Sequence, residues 1–206
     1  AGVPKNTRQE IISKGNTLAA HVYPVPANYL VLREDSNVVI NGDRWRVMYG
    51  RGHSTAQACL YSRKRNMLLS ADHVVGRITP NISVWPLETN ANPLDEYLHD
   101  LKEWRTIIPN DVRVLPGHGP EFTDLHGRID RLLEHHEKRL EQVIKIVTEE
   151  DGLLLHQIME KLFKPDMGAR NTVFALAETH AHVNFEIYKG VIDIDLTKDQ
   201  PTYSLI

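Results

Sequence analysis

A chain of 206 residues with 41% hydrophobic residues and a formal net charge of −3 has the composition of a globular protein, one large domain or two small ones. A single cysteine, Cys59, excludes an internal disulfide framework, and the apolar string around it reads as a strand with a buried, inert thiol. No apolar run approaches the roughly 18 residues of a membrane span and no signal peptide is read, so a cytoplasmic protein without membrane partners is expected.

The charge is unevenly spread. Residues 1–123 carry 14 Lys and Arg against 12 Asp and Glu, a net of +2, whereas residues 124–206 carry 10 against 15, a net of −5. Phosphate contacts need a basic surface, so nucleic acid is not an expected partner of the second part. In chain order, Arg8-Gln9-Glu10-Ile11-Ile12 predicts a short helix that Gly15 and Asn16 break. Residues 29–32 are apolar enough for a strand. Residues 38–40 and 44–49 flank Asn41-Gly42-Asp43, a strong hairpin signal, with Trp45, Val47 and Tyr49 on one face. Gly52-His53-Ser54 follows.

Residues 58–62 and 67–70 predict a second hairpin over the basic turn Arg63-Lys64-Arg65-Asn66, which reads as a solvated tip or, more sharply, a phosphate contact. Ser70-Ala71-Asp72-His73 comes directly after it. The stretch 81–93 is irregular, punctuated by Pro86 and Pro93. Trp85 within it either lines a substrate pocket or covers the core, and the core is the expectation. Asn92-Pro93 is a helix start, and Leu94, Tyr97, Leu98, Leu101, Trp104 and Ile108 recur at helical spacing up to Pro109. A strand over 112–115 then leads into Pro116-Gly117-His118-Gly119-Pro120. Strand, helix and strand alternate, so this part is α/β.

From Asp124 the strands stop. A helix to about Thr148 carries an apolar stripe, and His135 and His136, being adjacent, face different sides and read as structural. Helices over 153–163 and 170–189 and a hairpin of 191–194 with 202–204 complete a winged-helix-like unit. At a net of −5 its expected role is packing or homodimer formation. The expected domains are 1–123 and 124–206.

Three short pieces carry the chemistry: His53, Asp72 and His118 each lie just past a predicted strand, beside Gly or a turn. Strands of one sheet end at a common edge, so these side chains can converge there, and neutral imidazole with carboxylate is a zinc ligand set. No Gly-x-Ser-x-Gly or Ser-His-Asp pattern competes.

In this order and context the pieces resemble the later motifs of the metallo-β-lactamase-fold hydrolases. The resemblance continues through Asn81-Ile82-Ser83-Val84-Trp85-Pro86 and Asn92-Pro93-Leu94 into the helix with Arg128, His135, His136 and Arg139, and covers about Asp35 to Gly190. It is similar to the branch with a small helical C-terminal domain, which includes hydroxyacylglutathione-hydrolase-like enzymes and an endoribonuclease. The resemblance implies a partial αββα sandwich followed by the winged-helix-like unit, and a two-zinc hydrolase. His53 completes the first zinc site, Asp72 bridges both ions and His118 ligates the second. Asp72 and His118 are then catalytic, and His73 orients a ligand or meets substrate. The family's His-x-His-x-Asp-His string does not occur here; His21, in His21-Val22-Tyr23-Pro24, does not match it, and Ala71 stands where the family usually has Gly. The expectation is the later part of such a hydrolase, with partial or absent zinc occupancy and weak activity on a small thioester or ester. A ribonuclease of the same fold and a non-catalytic scaffold are the alternatives.

Overall fold

The computed structural model describes residues 5–14, 28–164 and 168–206. Asn41 and Gly42, at φ 51° and 79°, form the two-residue turn between β1 (Asn37–Ile40) and β2 (Asp43–Gly50). A turn with two positive φ values matches the twist of the strands it joins, which is why Asn-Gly marks it. β3 (Gln57–Ser62) pairs antiparallel with β2, and β4 (Met67–Ala71) returns along β3 after Asn66, at φ 47°. Helix α2 (Pro93–Ile107) then crosses over to β5 (Arg113–Pro116), which lies parallel to β4. A parallel neighbour requires such a crossover. The strand order is β1-β2-β3-β4-β5.

One face of this sheet holds Met48 beside Cys59 and Leu68 beside Val114, packed on Leu94, Tyr97, Leu101 and Trp104 of α2. Burial pushes the Cys59 thiol up to about 12, and its Sγ lies 3.3 Å from the Ser70 carbonyl, so it is the inert core residue expected. Helix α3 (Leu125–Glu149) starts where the Asp124 side chain accepts from the Gly127 amide. Its Leu125, Ile129, Leu132 and Leu140 join the sheet's core. Its Val143, Ile146 and Val147 join a second core with α4 (Leu155–Leu162), α5 (Gly168–Tyr188) and a small antiparallel sheet. That sheet has the order β6-β8-β7, with β6 at Leu153–Leu154, β7 at Ile192–Asp195 and β8 at Thr202–Leu205. Helix α1 (Lys5–Lys14) lies against α5.

Two expectations are corrected. Residues 29–32 form no strand: Tyr29, Leu30 and Val31 are exposed with no pairing partner among the described residues, because apolar composition without a neighbouring strand does not make a ladder. The helix expected from Leu153 begins at Leu155, since Leu153 and Leu154 pair with Tyr203 and Thr202. The break expected at Gly15 and Asn16, and His21, fall outside the described residues. No described helix is long and apolar enough to cross a membrane.

Candidate metal centre

The sheet delivers three side chains to one edge, each by a turn with its own steric reason. After β2 the chain passes Gly50 and Gly52. A Cβ on Gly50 would overlap the His73 ring, and one on Gly52, at φ +100°, would lie 2.5 Å from Tyr97 Cβ and 2.7 Å from the Pro93 carbonyl oxygen. Between them Arg51 is fastened to buried Asp100 on α2: its backbone N–H donates to Oδ2 at 2.8 Å and its Nη1 to Oδ1 at 3.0 Å. This anchors the turn that carries His53. The His53 Nδ1–H donates to the Asn81 carbonyl at 2.9 Å, which leaves Nε2 as a lone pair directed away from the loop.

Asp72 follows an irregularity at the end of β4, where the register shifts between Leu69 and Ala71 and Ala71 takes φ +46°. The His73 amide donates to the Ser70 carbonyl, and the Ser70 hydroxyl to the Val74 carbonyl, closing a tight turn. The loop after β5 docks on it: the Gly117 amide donates to the Ala71 carbonyl at 2.7 Å. A Cβ on Gly117 would lie 2.5 Å from Asp72 Oδ1, so glycine allows this approach without displacing the carboxylate. Gly119, at φ +81°, completes the loop that presents His118.

The result is a carboxylate between two imidazoles. Asp72 Oδ2 lies 3.7 Å from His53 Nε2, and Oδ1 lies 3.6 Å from His118 Nε2. Both gaps are too long for a hydrogen bond. They fit the separation of two ligand atoms that each sit about 2.0–2.2 Å from one cation in tetrahedral geometry. Asp72 Oδ1 is buried without a hydrogen-bond partner among the described residues, a state that a carboxylate tolerates poorly unless a cation or water meets it. The donor set and its spacing therefore fit a metal pair sharing Asp72. His99, Asp100 and Glu103 also bring ligand atoms within 4.8 Å of one another, but Asp100 is already committed to Arg51.

The other expected residues sit elsewhere. His73 has 0% exposure. Its ring packs against Trp104 at 4.4 Å and Tyr97 at 5.1 Å, and its carbonyl accepts from the Tyr97 hydroxyl. Burial lowers its imidazole to about 3, with His53 and Arg51 adding repulsion; the nearby Arg51 carbonyl opposes the fall, although no ring nitrogen meets hydrogen-bond geometry. No substrate reaches it, so contact with substrate is corrected: it is a neutral core ring beneath the turn. Trp85 is also corrected. It is 45% exposed and stands edge-on to Phe174 at 6.1 Å rather than in the core. It lines the cleft of about 190 Å³ that contains His53, Ser83 and Asn92. The basic turn is not a free phosphate site, because Lys64 and Arg65 both pair with buried Asp43. Residue-type reasoning missed the roles of Asn81, Arg51 and Asp100, which have no local sequence signal; Gly117 lies in Pro-Gly-His-Gly-Pro, where the tight loop is expected.

No family model matches the chain. A search of curated proteins finds a β-lactamase-like protein 2 homolog of Caenorhabditis elegans, 23% identical over 61% of this chain and 39% of that protein. It also finds the lactamase-like protein nscB of Aspergillus fumigatus, 26% identical over 79% of this chain and 49% of that protein. The chain thus spans half or less of the length of these curated relatives. Among solved structures, a β-lactamase domain protein from Burkholderia ambifaria superposes with a TM-score of 0.93 at 32% identity, over 100% of this chain and 59% of that one. A metallo-β-lactamase family protein from Thermus thermophilus, at TM-score 0.79 and 24% identity over 98% of this chain and 64% of that one, shares the fold. Sequence and structural relatives agree with each other: the chain has the metallo-β-lactamase fold and is similar to lactamase-like proteins of that superfamily.

Proposed function

We propose that the chain carries part of the catalytic centre of a metal-dependent hydrolase acting on an ester or thioester of a small molecule. His53 and Asp72 would hold one ion, and Asp72 and His118 the other. The single observation behind this reading is the Asp72 carboxylate, with one oxygen facing each imidazole nitrogen at 3.6–3.7 Å and Oδ1 buried without a hydrogen-bond partner among the described residues. Zinc suits two imidazoles and a carboxylate. A divalent cation bound there supplies Lewis-acid polarisation of the attacked carbonyl and lowers the pKa of a bound water towards neutrality.

The chain's own residues supply position. The Asn81 carbonyl fixes the tautomer of His53, so its Nε2 offers a lone pair without rearrangement. Gly117 lets the His118 loop touch the Asp72 turn. His118 is 70% exposed and reaches the centre from the open side. Cys59 offers no rival nucleophile, being buried with its thiol pushed up to about 12.

The test is a zinc titration followed by the ring resonances of the histidines. His53 and His118 are expected to shift together, and Asp72→Asn to abolish both shifts, because one carboxylate serves both ions. Independent titration of the two rings in Asp72→Asn, or no shift of either at millimolar zinc, overturns the shared centre.

A further inference from the structure

We propose that the cavity walled by α5, the start of α4, the connection into β8 and the loop at Val84 binds the uncharged apolar part of the substrate, an acyl chain or aromatic ring, while the reacting carbonyl lies at Asp72. The proposal rests on the hydrolase reading above. The cavity measures about 360 Å³, within the roughly 300–1,000 Å³ typical of small-molecule sites. Leu154, Leu155, Val173, Leu176 and Ala177 line it, and no Asp, Glu, Lys or Arg does among the described residues. His180 on its wall is lowered by burial, which favours the neutral ring. A phosphate, carboxylate or ammonium group would be desolvated there without a counter-charge, whereas a hydrocarbon gains by leaving water.

One side chain joins this cavity to the metal centre. Trp85 lines the cavity and also the cleft that holds His53. Its edge-on contact with Phe174 keeps it at the boundary between the two. An apolar chain reaching from the His53 cleft into the cavity would pass Trp85, the residue that lines both. The same loop orients His53. The Asn81 carbonyl accepts from His53 Nδ1, the Asn81 side-chain amide donates to the Ser83 hydroxyl at 2.7 Å, and the Val84 amide donates to the Ala177 carbonyl at 3.0 Å. Residues 81–85 therefore touch both the cavity wall and a metal-facing histidine.

The probes are methyl ketones from 2-pentanone to 2-undecanone, which are uncharged and cannot be hydrolysed, titrated into the 206-residue chain and followed by tryptophan fluorescence and by the amide resonances of the 84–85 loop. Affinity is expected to rise about fourfold per added methylene until the cavity is full. Val173→Trp, and as a milder change Ala177→Leu, are expected to weaken binding at least about tenfold with little change in thermal midpoint, the loss of roughly two buried methylenes. Binding that ignores chain length, or that both folded variants leave intact, overturns the proposal. A change in the oligomeric state of Val173→Trp without loss of ketone binding also overturns it, since the cavity is then a contact between copies. The two readings fail separately. If ketones bind as expected and millimolar zinc shifts neither the His53 nor the His118 ring, the hydrolase reading falls and the assignment of the cavity to an apolar chain stands. If zinc shifts both rings and ketone affinity is flat across the series, the cavity proposal falls alone.

Discussion

At Gly117 the absence of one methyl group fixes the position of Asp72. A Cβ there would lie 2.5 Å from Asp72 Oδ1, so the carboxylate would have to turn aside, and 3.2 Å from the Ala71 carbonyl carbon, which is backbone. Gly117→Ala is expected to cost about 1–3 kcal/mol in urea unfolding, the usual range for overpacking, and to weaken zinc binding at both imidazoles. Wild-type stability together with wild-type affinity would sink this account. Ala71 shows the opposite case. At φ +46° an L-residue pays about 1–2 kcal/mol that glycine does not, and glycine returns part of this as extra chain entropy. Ala71→Gly is expected to stabilise the fold by about 0.5–1 kcal/mol; a loss of stability would mean that packing of the methyl against the core outweighs the strain. At this scale the sequence is most readable where side-chain type and turn chemistry coincide. His53, Asp72 and His118 each sit beside Gly or a strand end, and strand ends share an edge. The Asn81 acceptor is a backbone carbonyl and has no sequence signature. The Arg51–Asp100 anchor links residues 49 apart through α2, beyond any local pattern. Trp85 lies between Pro80 and Pro86, where no period assigns it a face, so its size alone suggested the core.

At the scale of elements, α3 and α5 are joined by a pair of imidazoles. His136 Nδ1 and His182 Nε2 are 3.1 Å apart, and His182 Nδ1 faces the Glu178 carbonyl at 2.8 Å. A carbonyl only accepts, so His182 carries its proton on Nδ1, its Nε2 accepts, and His136 donates from Nδ1. Both rings are thereby neutral, and protonating His182 would set two N–H groups against each other. Burial first, then the neighbouring His182, His135 and Arg139, lower His136 to about 2; burial, with minor repulsion from Arg139 and His135, lowers His182 to about 4. Both folded values lie below the ordinary 6.5. The unfolded chain therefore takes up protons first on acidification, and stability falls as pH drops from about 6.5 towards about 4. The slope is about 1.4 kcal/mol per pH unit for each histidine. Urea midpoints between pH 7.5 and 5 are expected to fall accordingly, and His136→Leu combined with His182→Met to flatten the profile by up to two protons. A profile unchanged by that pair of substitutions would assign the acid sensitivity elsewhere. The helices themselves were legible from their stripes, as was the structural reading of His136. β6 was not, because two residues paired only to β8 leave no periodic trace.

At the scale of the whole molecule, α3 ties the C-terminal helices to the sheet by entering both cores, so the centre at the sheet edge and the cavity on α5 belong to one packed body. The order of three Gly- or turn-bounded motifs after three strands was enough to read the α/β class and the converging edge. The contact between cavity and cleft was not legible, because it arises only when α5 folds back against the Val84 loop. Metal affinity follows from counting ligands in this body. Catalytic zinc centres use about three protein ligands per ion. Among the described residues His53 and Asp72 would serve one ion and Asp72 and His118 the other under the proposed reading, which is two each with the carboxylate shared. His73 supplies no third ligand, since its ring lies in the core between Tyr97 and Trp104. The 206-residue chain is therefore expected to exchange zinc readily and to retain well under one equivalent after dialysis. At about 1 mM zinc and a Kd of about 0.1 mM, binding adds about 1.4 kcal/mol, which raises the thermal midpoint by about 3–6 °C for a chain of this size. Asp72→Asn is expected to remove that rise and His118→Ala to remove about half of it. Two equivalents retained through dialysis would show that further ligands, His21 among the candidates, complete the centre, and the count of two per ion would be wrong.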